Sequence, residues 1–349
     1  MRITEVDVVG VHEVNDPVLP WRDGLPRRSP RQWLGTLRIR TDEGLTGLAE
    51  VNRPDLVSAA VERQLRDELV GQDPLRREYF WRRIWELHRL EYYPVTMLGL
   101  VDIALWDLAG KAAGLPVHRL LGGYRDRIPA YASTVTFDTV EEYLDVVDQC
   151  RALGFHGIKL HAWGDARRDA ELSAAVRAHV GDGYPLMFDA SGGFDLPDAI
   201  YLGKALEDAG YLWYEEPMRE YNITSHTWLA KAVGVPLLVA EVTEGSHEST
   251  ADFLATGCAP FVRTSANFKA GITGGMRIAH LADAFHVRAE VHGAGRPNEH
   301  LCMAIPNTTY YESLVTSTVV AQDPRLTADQ FLPAPTAVGI GYEEPEESR

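Results

Sequence analysis

Asp189, Glu215 and Glu241 recur at an interval of 26 residues. Each stands at or beside the end of a short apolar run: Pro185–Ala190, Tyr211–Glu215 and Pro236–Glu241. If those runs are neighbouring parallel strands, the three carboxylates meet at one rim and repel each other unless a cation sits between them. All-oxygen ligation favours a hard ion, Mg²⁺ or Mn²⁺, with water and substrate completing the shell. The competing reading is three helix N-caps, a role short acids fill well; the shared register favours the metal. Other polar groups end neighbouring runs. Lys159 and His161 are two apart on one strand and point to the same side. His292 ends Val287–His292, and Glu312 ends Thr308–Glu312. Any one of the twelve histidines could be structural. Two histidines and a lysine at the rim of three acids make an acid/base set around a metal.

These residues need elements to hold them. From about residue 128, helix-like runs end in glycine and a short apolar strand follows. Gly154, Gly183, Gly210, Gly234 and Gly257 are 23 to 29 residues apart, a step that suits one strand plus one helix. Repeated βα units with buried strands argue for a parallel sheet. About eight strands favour a barrel, whose active sites lie at the strand C-termini. No G-x-G-x-x-G follows the first strand, which weakens the doubly wound alternative. Before this region lies an antiparallel sheet. Arg2–Val14 alternates apolar and polar residues, and Trp33–Arg40 and Leu45–Val51 flank an Asp42-Glu43-Gly44 turn. Residues 16–30, with four prolines, Trp21 and several arginines, read as a mobile loop. Helices are expected over Asp55–Val70, Pro74–Leu90 and Val95–Ala113, the last stopped by Gly114 and Pro116. The acidic tail from Glu343 reads as frayed.

The whole chain narrows the partners. It has 349 residues, with 34 Lys and Arg against 50 Asp and Glu, a formal net charge of −16. That field disfavours nucleic acid. It does not exclude a small anion, because a metal or lysine can dominate inside a cleft. Cys150, Cys258 and Cys302 form no C-x-x-C pair, so neither a disulfide scaffold nor a zinc finger is expected. No run approaches a membrane span, and the first ten residues do not resemble a signal peptide. The expectation is a reduced, cytoplasmic protein with no nucleic-acid or membrane partner.

Several motifs, in order, resemble the enolase superfamily, of the mandelate racemase, muconate lactonizing enzyme and sugar-acid dehydratase type. Thr41-Asp42-Glu43-Gly44-Leu45-Thr46-Gly47 resembles its N-terminal hairpin. Ala104-Leu105-Trp106-Asp107-Leu108-Ala109-Gly110-Lys111, followed by Leu120-Leu121-Gly122-Gly123, is similar to its signature helix and turn. Glu215-Glu216-Pro217 resembles the fourth-strand metal motif, and Lys269-Ala270-Gly271-Ile272-Thr273 the loop after strand six. The resemblance implies an α/β fold: a modified TIM barrel, (β/α)7β, with an N-terminal α+β capping domain. The expected division is a cap over 1–125, a barrel over 126–324 and a segment over 325–349 that returns to the cap. Cap loops, residues 16–30 and Asn52–Asp55, would close over the barrel mouth. The resemblance also implies a homo-oligomer, a dimer or octamer. The shared first step would be removal of the proton α to a carboxylate, with Mg²⁺ stabilising the enediolate.

Three positions depart from the pattern. The second strand reads Lys159-Leu160-His161 where Lys-x-Lys is common; histidine needs almost no pKa shift to serve as a base at pH 7. Ala266 stands where an aspartate often orients the strand-seven histidine, so His292 lacks that partner, with Glu290 as a substitute. Ser191 replaces a common asparagine. The expected function is a Mg²⁺-dependent dehydratase (hydro-lyase) of a sugar acid. His161 or Lys159 would take the α-proton and His292 protonate the leaving hydroxyl. Glu312, if protonated, would donate to the enediolate, Lys159 would contact the substrate carboxylate, and Trp21 and Arg22 would bind substrate. A racemase, epimerase or lactone cycloisomerase is the alternative, and a non-catalytic barrel the third reading.

Overall fold

The alternating N-terminal sequence forms a three-stranded antiparallel sheet of β1 (Ile3–Asn15), β2 (Arg31–Thr41) and β3 (Thr46–Val51). The β2–β3 turn needs a left-handed residue, which Gly44 supplies at φ 77°. The structure, a computed structural model, describes residues 1–15, 19–26 and 29–345. The helix expected over Asp55–Val70 is α1 (Pro54–Ala60), a π-helical turn at Val61–Leu65 and α2 (Arg66–Leu69). Next come α3 (Arg77–Glu91), which starts three residues and ends one residue later than expected, α4 (Val95–Ala113), with the expected bounds, and α5 (Val117–Leu120). α4 ends at Gly114, left-handed at φ 67°.

The repeating region is a curled parallel sheet. Its strands are β4 (Arg127–Thr134), β5 (Ile158–His161), β6 (Leu186–Asp189), β7 (Trp213–Glu215), β8 (Leu237–Val239), β9 (Phe261–Thr264), β10 (Arg288–Val291) and β11 (Tyr311–Val315). They pair in chain order from β4 to β10, with β11 beside β4. One principal helix follows each of the first seven: α6 (Val140–Leu153), α7 (Ala166–Val180), α8 (Leu196–Asp208), α9 (Ile223–Ala232), α10 (His247–Thr256), α11 (Gly271–Ala284) and α12 (Arg296–Ala304). This is a (β/α)7β arrangement. Its two edges meet around β10 and β11: Ala289 N donates to Asn307 O at 3.0 Å and Gly293 N to Glu312 Oε2 at 2.8 Å. Inside, Tyr131, Met187, Trp213, Leu238 and Phe261 pack as an apolar layer. The barrel is therefore a filled core rather than a pore. A last strand, β12 (Phe331–Pro333), pairs antiparallel with β4.

The motifs that carry the family resemblance turn out to be joints. Buried Asp107 accepts from Leu48 N at 3.0 Å and from Ile340 N at 2.7 Å, and pairs with Lys111 at 2.7 Å. It thus binds the hairpin, α4 and the C-terminal segment together. Glu344 continues that return by pairing with Arg38 and Arg40 of β2. The Lys269–Thr273 loop docks on the cap. Asp102 of α4 accepts from Thr273 N at 2.9 Å and Oγ1 at 2.6 Å, and Trp81 Nε1 donates to Ala270 O at 3.0 Å. Gly99 permits the contact: a Cβ there would lie 2.8 Å from Gly271 N. Cys150, Cys258 and Cys302 are free and buried. No helix among the described residues is long and apolar enough to cross a membrane.

Candidate active site

Asp189 and Glu215 are the last residues of β6 and β7, and their Cα atoms are paired across the ladder. Glu241 follows β8 by two residues. Within two residues of each carboxylate the backbone turns sharply: Ser191, Glu216 and Ala240 are left-handed at φ 48°, 39° and 71°. Such conformations cost about 1–3 kcal/mol each in non-glycine residues and concentrate at functional sites. Here they aim the acids inward, and ligand oxygens of Asp189, Glu215 and Glu241 all lie within 4.8 Å of one another. The N-cap reading fails on geometry. The helix after β6 is capped by Asp195, and that after β7 by Asn222. At α10 the N-cap is Ser246, with no side-chain cap bond.

A cavity of about 620 Å³ opens at this rim. Trp21, Arg22, His161, Asp189, Glu241, His292 and Glu312 all line it, whereas Glu215 and Lys159 are completely buried beneath. Lys159 Nζ lies 3.1 Å from Asp189, 3.0 Å from Glu215 and 2.8 Å from Glu312. Burial alone would lower its pKa. Glu215, Glu312, Tyr131 and Asp189 outweigh that and hold it well above the usual lysine value. Lys159 thus lies beneath the cavity rather than on its wall, engaged by three carboxylates and not facing the space where a substrate carboxylate was expected to meet it. Burial would raise Glu312, but Lys159, His292 and Arg263 pull it well below the usual carboxylate range. Glu312 is therefore an anion that accepts from Gly293 N, not the protonated donor expected. It is also the second residue of β11 rather than its end.

His161 Nδ1 lies 2.7 Å from Thr134 O, and Nε2 lies 3.1 Å from Asp189 Oδ2. Trp21 covers the imidazole with ring centroids 4.8 Å apart. The segment carrying Trp21 is pinned across the rim: Thr136 N donates to Pro20 O at 2.7 Å, Asp23 N to Trp163 O at 3.3 Å, and Arg22 Nε to Ser191 O at 3.1 Å. The expected mobile loop over 16–30 is therefore anchored at its tip. Its residues 16–18 and 27–28 lie outside the described residues, as does the tail after residue 345. Asn52–Asp55 is not part of this cavity's wall; Arg53 and Asp55 border a separate cavity in the cap.

His292 Nε2 is 3.2 Å from Glu241 and 4.0 Å from Glu312, and its ring lies on Phe268 at 5.2 Å. Burial pushes its pKa down to about 4. Glu290 is not its partner: that carboxylate is taken by Thr308 and Thr309. Where an aspartate would sit, Asn298 joins the backbones instead, with Oδ1 accepting from Ala266 N and Nδ2 donating to His292 O.

Asp189 and Glu215 are balanced by these cations, but Glu241 is not. Its Oε2 is buried with no hydrogen-bond partner among the described residues. Burial, Glu216, Glu215 and Asp189 raise its pKa well above the usual carboxylate value. An unpartnered buried carboxylate oxygen beside two other acids fits a hard divalent cation. Sequence reasoning missed Arg263, which is fully buried in β9 and grips Glu215 with two nitrogens, NH2 to Oε2 at 2.7 Å. Its one signal was a charged residue within the apolar run Phe261–Thr264.

Comparison with known proteins agrees with this geometry. The model "Mandelate racemase / muconate lactonizing enzyme, N-terminal domain" matches residues 11–122, and "Enolase C-terminal domain-like" matches residues 142–348. A "D-galactonate dehydratase family member" of Streptomyces bingchenggensis is 32% identical over 81% of this chain and 80% of its own length. A 3,6-anhydro-alpha-L-galactonate cycloisomerase of Streptomyces coelicolor is 29% identical, over 80% and 79%. The crystal structure of D-glucarate dehydratase from Agrobacterium tumefaciens complexed with magnesium superposes with a TM-score of 0.88 at 32% identity, over 98% of this chain and 96% of that one.

Proposed function

Because the chain belongs to the mandelate racemase/muconate lactonizing enzyme family of the enolase superfamily, we propose that it is a Mg²⁺-dependent lyase that eliminates water from a sugar acid. The observation that carries this reading is the Asp189, Glu215 and Glu241 cluster, with its unpartnered Glu241 oxygen, directly beside His161. These three residues would hold the ion. A bound divalent cation draws charge from a substrate carboxylate and so acidifies the neighbouring C–H.

The chain's own residues do the rest. His161 holds Nδ1 against the Thr134 carbonyl and Nε2 against Asp189 Oδ2 at the cavity wall; we assign the α-proton to Nε2, which would be released for it when Asp189 turns to hold the ion. Trp21 over the ring keeps water from competing. Lys159 lies buried beneath the cavity against Asp189, Glu215 and Glu312, which favour its charged form and so favour His161 over it as the base. As the α-carbon loses its proton, the β C–O bond breaks and hydroxide leaves with a proton. We assign that proton to His292, across the mouth. Burial, which puts its pKa near 4, favours the neutral form, and an anionic substrate beside it favours the charged form. The enol so formed tautomerises to a 2-keto-3-deoxy acid. Arg22, at the cavity wall, is suited to a hydroxyl or second carboxylate.

The test is a panel of mono- and dicarboxylic sugar acids with Mg²⁺, assayed for 2-keto-3-deoxy products. An isomerase is the second reading, favoured by the cycloisomerase relative and by the two histidines at one mouth. Deuterium entering the α-position from D₂O without loss of water supports that reading and defeats dehydration. Calorimetry showing no Mg²⁺ binding would defeat both.

A further inference from the structure

Two of the three acids owe their place to the ladder. Asp189 and Glu215 are strand residues with paired Cα atoms. Glu241 lies two residues beyond β8, whose pairing with β9 stops at Val239, and it follows the left-handed Ala240. Strand pairing therefore does not fix it. The backbone on both sides of Glu241 is met instead by one buried side chain, Glu220, from the loop after β7. Glu220 Oε1 accepts from Ala240 N, and Oε2 accepts from Val242 N at 3.2 Å. The two oxygens of a carboxyl are a fixed distance apart, so both N–H groups are met only when the segment takes one conformation. A second hold lies further along the same segment. Buried Lys269, from the loop after β9, donates from Nζ to Thr243 O at 2.7 Å and to Thr243 Oγ1 at 3.1 Å.

We propose that Glu220 is a positioning residue that holds Glu241 in the geometry a small octahedral ion such as Mg²⁺ needs. The inference rests on the metal reading above. Glu220 acts through the backbone of Ala240 and Val242; both of its oxygens are taken by those N–H groups. Mg²⁺ demands near-ideal octahedral geometry, whereas Ca²⁺ accepts more oxygens in flexible arrangements. A Glu241 whose backbone is free to shift therefore costs Mg²⁺ more affinity than Ca²⁺.

The test is titration calorimetry of the full chain with Mg²⁺ and separately with Ca²⁺. The readout is the ratio of the two dissociation constants, Mg²⁺ over Ca²⁺. A change in the site's charge acts on both divalent ions and cancels in the ratio, and a general loss of folded protein lowers the number of sites but not the ratio. In E220Q one acceptor oxygen becomes an amide nitrogen that cannot accept, one N–H is released, and the ratio should rise on the order of ten-fold. E220D keeps both oxygens but is too short to reach both N–H groups, and the ratio should rise there as well; it carries the test alone if E220Q does not fold. In EDTA, hydrogen exchange at the Ala240 and Val242 amides should be faster in either variant than in wild type. An unchanged ratio in a folded variant, or exchange at these amides as slow as in wild type, overturns the proposal. Wild-type protein that binds neither ion overturns the metal reading instead.

Discussion

Asp102 offers a quantitative test of how the cap is joined to the barrel. Its carboxyl is fully buried, accepts from Thr273 N and Oγ1, and is pushed by burial up to about 7. In the unfolded chain the group titrates at about 4. Below pH 4 both states hold the proton. Between 4 and 7 the unfolded chain releases it while the folded chain keeps it, so stability falls as pH rises; above 7 the contribution is flat. From pH 5 to pH 8 the loss spans about two pKa units, or about 2.7 kcal/mol. Asp102→Asn stays neutral throughout, and its oxygen can still accept from Thr273 N. Relative to wild type, the variant should gain about 2.7 kcal/mol over that range. For 349 residues the unfolding entropy is about 0.7 kcal/mol/K, so the gap in Tm between the two proteins should shift by about 4 °C. The assay is thermal unfolding of both proteins in EDTA at pH 5, 6, 7 and 8. Parallel pH profiles would refute the reasoning, because they would mean that Asp102 is ionised in both states or does not face the joint as described.

Three further outcomes are expected. Glu241→Gln removes the uncompensated carboxylate, so calorimetry should show Mg²⁺ affinity down by at least about ten-fold, with the fold intact by circular dichroism. Gly99→Ala puts a Cβ 2.8 Å from Gly271 N, and denaturant unfolding should report a loss of about 1–3 kcal/mol from overpacking. Trp21→Ala uncovers His161, and steady-state kinetics should show kcat/KM reduced by about ten-fold or more while Mg²⁺ affinity is unchanged.

The parallel barrel was legible because glycine after each helix and an apolar run after each glycine repeat with one period. The same register placed Asp189, Glu215 and Glu241 together, since strand ends in a parallel barrel share one face. What the sequence hid are relations across the barrel. A buried strand is apolar on both faces, so Phe261–Thr264 does not reveal that Arg263 points inward to Glu215, 48 residues away. Lys159 looked like a rim group and a possible base; three carboxylates on other strands turn it into a buried cation. The same cations keep Glu312 ionised against the expectation of a protonated donor. Trp21 shows the converse. Irregular sequence over 16–30 read as mobility, because the backbone bonds from Pro20 and Asp23 to the βα loops leave no periodic trace. Asp107 read as part of a family marker, and its physical role is the joint with Leu48 and Ile340.

The central claim is that His161 takes the proton α to the substrate carboxylate at a metal-bearing barrel mouth. Proton NMR in D₂O, with Mg²⁺ and whichever sugar acid is turned over, follows that proton directly. Wild-type protein should lose the C2 proton signal as the 2-keto-3-deoxy product forms, and His161→Asn should retain it with Mg²⁺ binding preserved. Turnover by His161→Asn at the wild-type rate, or a wild-type product that keeps its C2 proton, would contradict the account.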